Sequence, residues 1–537
     1  MEKRRRRRSE LEDIPNLYHD IQSRLPVEEA ARTSVLSKSW LHTWSTIPII
    51  RFPLTPAILV DKEEDKEKVK PMEELVDRTL KRYLRDNIPI EIVDLIIDMT
   101  NQESASLAEK WIRLMATKSS TLKQLSLRIC ISSDYSVTLP AEILSSGRNL
   151  TDLEISCSSS IGLQMMNPFS MTSHPVIINC VCLRRLQLKN VHIIEEVLDD
   201  IFSICRLLVS VELSCCTGFR RVKVQNLHRL NQFRINSAGK RNPVVLEIND
   251  VPNIRLFNLE GNTLLPSMDS LGSVTTLWLA GMIVDDAFLH IIKSKFPFLE
   301  SLTLDMKLSK VESFDITCAS MKRLSLLWCP HMLIDVKVYA PKLVFFYFSG
   351  ETTMPRLLFP EIVLEEIQIE LSLIRRPMDN SFFLKMREAF TLSRKCDIQI
   401  QIHGILASDI NLDLDDQRRR VPFPAMNVQR VSLRTFSDDG LWRDSSPFFD
   451  AFFMICHPKH VEDQSLNNNS HFCKLMMLEK KTRKGYWGDY LKDVEIRRQC
   501  LGDEKWETLT NSWRSFLDRS VEEWSGVEFK LYWHSVK

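Results

Sequence analysis

Cys456, His457, His460, His471 and Cys473 form the densest grouping of thiol and imidazole side chains in the chain. Soft and imidazole ligands at short spacing are the raw material of a zinc site. No C-x-x-C or H-x₃-H element occurs, however, and the stretch between His460 and His471 is rich in Asn. The group is therefore expected in a packed C-terminal cap, with no metal bound. Asp285-Asp286 and Asp415-Asp416 are paired carboxylates, but adjacent residues on one turn do not converge on a substrate. Capping a helix or solvating a loop is their expected role. No phosphate loop, nucleophile elbow or H-E-x-x-H pattern is present, and Gly is scarce, 14 in 537. Catalytic residues and cofactors are accordingly expected to be absent, and the chain reads as a binding protein. The remaining chemistry is aromatic. Trp328 and Trp278 are expected to be exposed, and Trp278 is the middle residue of Leu277-Trp278-Leu279, so alternation along a strand turns it away from the core.

The elements that position these residues are periodic. An apolar residue, two variable ones, then apolar-x-apolar recurs at Leu122/Leu125/Leu127, Leu150/Leu153/Ile155, Leu183/Leu186/Leu188 and Leu208/Val211/Leu213. It continues at Leu230/Phe233/Ile235, Ile254/Phe257/Leu259, Val274/Leu277/Leu279 and Leu299/Leu302/Leu304. Met321/Leu324/Leu326, Leu343/Phe346/Phe348 and Leu364/Ile367/Ile369 complete eleven copies, with starts 20 to 33 residues apart. That interval is close to the roughly 20–29 residues of a leucine-rich repeat. One coil cannot bury its own apolar face, so neighbours stack into a parallel-strand solenoid. The fold class is thus α/β: small N-terminal helices, an irregular leucine-rich-repeat solenoid, and a C-terminal α+β cap. In such a repeat Trp278 stands on the concave, strand-lined face. Two readings stay open for it: an anchor for a bound substrate, or a side chain packed only on its neighbours.

Ahead of the repeats, Leu25-Pro26 opens a helix whose Ala31 and Val35 share an apolar stripe bordered by Leu36, and Ser37 offers an N-cap to a second helix with Trp40, Leu41 and Trp44. The string Ala30-Ala31-Arg32-Thr33-Ser34-Val35-Leu36-Ser37-Lys38-Ser39-Trp40 strongly resembles the F-box of plant F-box/leucine-rich-repeat proteins. Ile14-Pro15 stands where that family has its first Leu-Pro pair. Cys456-His457-Pro458-Lys459 and Leu491 to Ile496 resemble the family's C-terminal region. The resemblance implies a substrate-recognition subunit of an SCF-type ubiquitin ligase. Its F-box would bind a Skp-type adaptor, and through it a cullin, by Ile14, Pro15, Leu25, Pro26, Val35, Leu36 and Trp40. Its repeats would hold a target protein for ubiquitylation. The alternative is a scaffold of the same build that does not drive degradation.

The expected divisions are a basic disordered arm (1–10), the F-box (11–50), a charged linker (51–70), the solenoid (71–375), and a C-terminal repeat extension and cap (376–537). Arg4, Arg5, Arg6, Arg7 and Arg8 in the arm are either a nuclear import signal or a solubilising tail. The formal charge is +1, and −4 without those five arginines, so no pull toward nucleic acid is expected. No run of about eighteen apolar residues is present, so no membrane span is expected. With no secretory signal, the thirteen cysteines are expected as free thiols and the protein in the nucleus, the cytoplasm or both. Beyond residue 375, a helix is expected at Phe382–Phe390, a loop at Asp409–Arg420, a helix at Phe448–Cys456, a helix near Trp506–Leu517 and a last strand at Val527–Trp533.

Overall fold

The computed structural model describes residues 17–25, 27–52, 69–99, 102–118, 120–131, 137–159, 169–171, 177–238, 242–264, 267–351, 353–360, 362–374, 378–403, 410–435, 446–463, 490–500, 506–508 and 524–534. The chain forms two compact units, 1–271 and 272–537, a division that falls inside the stretch expected as one solenoid.

The first unit begins with three short helices, α1 (Leu17–Arg24), α2 (Val27–Thr33) and α3 (Lys38–Thr46), followed by a strand, β1 (Ile49–Phe52). After α4 (Val69–Arg85), seven further strands succeed one another: β2 (Ile92–Met99), β3 (Gln124–Ile131), β4 (Asp152–Ser159), β5 (Arg185–Lys189), β6 (Ser210–Ser214), β7 (Gln232–Ser237) and β8 (Leu256–Gly261). Each pairs in parallel with the next, β1 with β2 included. The register places Ile50, Val93, Leu125, Leu153, Leu186, Val211, Phe233 and Phe257 in one row, and all eight are buried. A parallel ladder of this kind needs a crossover between strands, and here each crossover is one return segment of the coil. A second, narrow parallel ladder, Arg221–Gln225, Val244–Asn249 and Thr263–Leu264, lies in the return segments.

Between β2 and β3 runs α5 (Gln102–Ala116). Leu107, Trp111 and Leu114 have helical spacing, but the buried stripe is Ala105, Ala108, Trp111, Ile112 and Met115, with Leu107 and Leu114 half-buried. The small alanines allow the helix backbone to approach the sheet, which turns the larger leucines to the flanks.

The second unit repeats the plan. Its parallel strands are β9 (Thr276–Ala280), β10 (Ser301–Asp305), β11 (Arg323–Cys329), β12 (Phe345–Glu351), β13 (Leu364–Ile374), β14 (Ser393–His403), β15 (Val428–Thr435) and β16 (His460–Asp463). The row Leu279, Leu304, Leu326, Phe348, Ile369, Ile398, Val431 and Val461 is buried throughout. All three apolar positions of every one of the eleven predicted copies are buried. The direction then reverses. The last strand, Trp524–Trp533, runs antiparallel to β16 and to Leu491–Cys500, which in turn pairs antiparallel with Trp506–Thr508. A solenoid end must cover its last apolar edge, and the antiparallel hairpin does so by laying Phe529 against Val461.

Two local expectations change. Leu414–Arg420 is a helix, not loop: the Asp413 carboxylate accepts the Asp416 amide at 2.9 Å as N-cap, and Asp415 and Arg418 to Arg420 suit the helix dipole. Trp506–Thr508 is strand where a helix was expected, because its backbone completes the antiparallel ladder; residues 509 to 523 lie outside the described residues. The helices Asn380–Thr391 and Ser446–Ile455 match the expectation, and Asp285 caps the helix Asp286–Lys295 by accepting the Phe288 amide at 2.8 Å. The eleven cysteines whose side chains are described are free thiols; burial pushes those of Cys157, Cys180 and Cys205 up to about 12, which keeps them protonated and inert.

Candidate functional site

The N-terminal helices are too short to be stable alone, and one polar side chain joins all three. Gln22 on α1 is buried; its amide nitrogen donates to Thr33 Oγ1 of α2 at 2.8 Å and to the Trp40 carbonyl of α3 at 3.1 Å. Trp40, half-buried, meets Tyr18 edge to face with ring centroids 4.7 Å apart. Ser37 caps α3 by accepting the Trp40 amide at 3.3 Å, as its position predicts.

The turn between α2 and α3 differs from the expectation. The α2 helix stops at Thr33, where the Thr33 and Ser34 hydroxyls donate back to the carbonyls of Ala30 and Ala31, each at 2.6 Å. Such back-bonds compete with the next helical turn. Val35 therefore does not share a stripe with Ala31. It is 85% exposed and Leu36 66% exposed, with Leu41 also exposed beside them. Three apolar side chains of this small helical module are thus left exposed by its own core. Leu25 is half-buried; Ile14, Pro15, Pro26 and Arg4 to Arg8 lie outside the described residues.

This module is fastened to the repeats. Tyr83 of α4 is buried and donates its hydroxyl to the Ile47 carbonyl at 2.5 Å, and Arg82 lies over the Trp44 ring at 5.0 Å. Arg51 of β1 reaches back to the Ser23 carbonyl at 3.2 Å. With β1 paired to β2, the helices continue directly into the ladder.

The outward face of the strands is the second surface. In the first unit its charges neutralise one another along the ladder: Arg128 with Asp94 at 3.0 Å, Arg185 with Asp152 at 3.4 Å and Arg234 with Glu212 at 3.6 Å. In the second unit Trp278 is 42% exposed between buried Leu277 and Leu279, as alternation predicts. Its register row continues through Thr303, Ser325, Tyr347, Gln368 and Asp397. Tyr347 donates its hydroxyl to Glu370, which also accepts from Gln401 at 2.6 Å. Burial and the Glu370 carboxylate hold the Tyr347 hydroxyl well above the usual phenol range. Arg323 lies over the Phe345 ring at 4.0 Å. Trp328 is exposed at the end of β11.

Residues 85–270 match the family described as "At1g61320/AtMIF1, LRR domain". Two proteins of Arabidopsis thaliana are similar to the chain. "F-box protein At1g80960" is 28% identical over 224 residues, 41% of this chain and 43% of that protein. "Putative F-box/LRR-repeat protein At3g49150" is 29% identical over 253 residues, 46% of this chain and 37% of that protein. The chain is similar to plant F-box/leucine-rich-repeat proteins, and its residues 85–270 match a leucine-rich-repeat family. It spans less than half the length of these curated relatives.

Three of the candidate metal ligands, Cys456, His457 and His460, have packing or pairing roles. His457 is buried flat against Trp533, and His460 pairs with Glu528 at 3.0 Å. Cys456 is buried and its thiol is held far above the usual range by desolvation. His471 and Cys473 lie outside the described residues, and among those described no three ligand-type side chains gather. No described helix is long and apolar enough to cross a membrane. Gln22, Tyr83 and β1 escaped the sequence reading. Gln22 has the spacing of an ordinary exposed helix residue, and Ile49–Phe52 precedes the first recognisable repeat.

Proposed function

We propose that this protein is the substrate-recognition subunit of an SCF-type ubiquitin ligase, a non-catalytic part of that complex. Its F-box docks on a Skp-type adaptor and through it a cullin, and its strand-lined face holds a target protein for ubiquitylation. The observation that carries the reading is the exposed apolar corner of Val35, Leu36 and Leu41 on helices bolted by Gln22. Apolar side chains that a module exposes at this density contribute most of the energy of a docking interface. The names of the relatives support the same reading. Leu25 and Trp40, both half-buried, belong to the contact set by resemblance, as do Ile14, Pro15 and Pro26. The test is a pull-down with a recombinant Skp adaptor. Val35→Asp/Leu36→Asp is expected to lower capture by about tenfold or more at unchanged melting temperature, since neither side chain is packed. Undiminished capture rejects the reading.

Arg4 to Arg8 are proposed as a nuclear address. Replacing all five with Ala is expected to move a fluorescent fusion toward the cytosol, because passive entry is slow for 62.5 kDa. An unchanged distribution leaves them a solubilising tail.

A further inference from the structure

The outward side chains of β9 to β13 are unlike those of the first unit. Their charged members are Asp305, Glu351, Glu366 and Glu370 against Arg323, a formal charge of −3 on five adjacent strands. On the neighbouring strand β14, Lys395 is shared between Asp397 at 3.2 Å and Glu366 at 3.6 Å, so Lys395 and Asp397 together add no net charge. Glu370 is met by the neutral donors Tyr347 and Gln401, and Asp305 accepts the Lys307 amide at 2.8 Å. Glu370 and Asp305 are therefore held in place by neutral donors, whereas Asp94, Asp152 and Glu212 on the first unit each have a guanidinium.

Aromatic rings lie among the acids. Trp278 and Tyr347 occupy one register row, and Phe345 stands two residues before Tyr347 on β12. Phe345 already carries a cation: the Arg323 guanidinium sits 4.0 Å above its ring. Ring faces next to carboxylates are the two halves of Lys and Arg recognition, because the ring attracts the cation through its quadrupole and the carboxylate through charge and hydrogen bonds. Five parallel strands span about 19 Å across the ladder, the length of about six extended residues.

We propose that the segment bound by β9 to β13 is an extended basic peptide of the target, its Lys and Arg side chains laid over Trp278 and Tyr347 and paired with Glu351 and Glu370. The proposal rests on the strand-lined face being the substrate surface, and it names the class of substrate. The charge complement sets the choice: a neutral segment would leave the carboxylates uncompensated, and an acidic one would be repelled.

The experiment is selection of a random peptide library on the full chain, followed by fluorescence anisotropy of labelled winners. Enriched sequences are expected to carry clustered Lys and Arg. They are expected to lose affinity by about tenfold or more against Glu351→Gln/Glu370→Gln, and to bind more weakly as salt rises. Glu370→Gln keeps one carbonyl oxygen for the Gln401 donor and turns its NH2 to the Tyr347 hydroxyl oxygen, which can accept, and an unchanged melting temperature confirms an intact fold. Tyr347→Leu provides a second variant that leaves all charges in place. Neutral or acidic winners, winners indifferent to all three substitutions, or no enrichment overturn the proposal. The assay involves no adaptor, so a chain that captures the adaptor yet selects neutral peptides refutes the basic-segment inference and leaves the ligase reading standing.

Discussion

His457 lies flat on Trp533, ring centroids 4.0 Å apart and planes within 7° of parallel. The pair fastens the last strand to the helix Ser446–Ile455, since Trp533 also meets Phe453 at 5.8 Å and donates its indole N–H to the Pro458 carbonyl at 2.8 Å. Among the described residues His457 Nδ1 has no hydrogen-bond partner, and burial lowers the pKa from 6.5 to about 4.

The first prediction concerns acid. Unfolded chain binds this proton near pH 6.5, whereas folded chain resists it to about pH 4. The contribution of the neutral ring is complete above pH 6.5, declines as pH falls, and is lost below about 4. The full difference is about 3 kcal/mol, and about 2 kcal/mol of it is gone by pH 5. His457→Phe keeps a flat ring without the titration. The wild-type melting temperature is expected to fall several degrees more than the variant's between pH 7.5 and 5. Parallel pH profiles for the two would reject the assignment.

Gln22→Ala removes both hydrogen bonds that join α1 to α2 and α3. A loss of about 1–3 kcal/mol is expected from the unmade bonds alone. Because the helices are individually unstable, the loss is concentrated in residues 17–46. Hydrogen exchange should quicken there and remain unchanged in β2 to β8. Uniformly faster exchange throughout the first unit would contradict this.

Phe233 and Phe257 stack within the row of the first unit, 6.0 Å apart and 14° from parallel, both without solvent exposure. Phe233→Ala opens a cavity between two coils and is expected to cost about 3–5 kcal/mol. In a stacked array the damage spreads through nearest neighbours. Denaturant unfolding followed by fluorescence checks it, and a cost below about 1 kcal/mol would mean that the coils close over the gap.

Trp278→Ala tests the aromatic on the strand face. A buried interface Trp commonly costs about 2 kcal/mol on truncation, roughly thirtyfold in affinity. Being 42% exposed in the free protein, it is expected to contribute little to the fold. Weaker binding of a selected peptide at unchanged melting temperature is the expected result. Lost stability with intact binding would make Trp278 a packing residue only.

The sequence by itself determined the repeats, because burial in a strand obeys a period of two and the coil closes at a nearly constant length. Leu125, Leu153, Leu186 and their successors could be named as core before any coordinate, and Trp278 as outward by the same alternation. Local capping was equally legible at Ser37, and was there to be read at Asp413, whose following acids and final arginines mark a helix that the polar composition concealed.

Tertiary structure decided the rest. That Val35 and Leu36 face solvent depends on where α2 ends, a competition between one more helical turn and two hydroxyl back-bonds from Thr33 and Ser34. That Gln22 is a central bolt depends on which residues of two other helices come within reach of its amide. The acidic run on β9 to β13 is invisible in a chain of formal charge +1. Asp305, Glu351, Glu366 and Glu370 are spread over 66 residues and become neighbours only when the strands align in register. Periodicity is carried by residues near one another along the chain, whereas a surface is assembled from residues far apart, and only the packed coils bring those together.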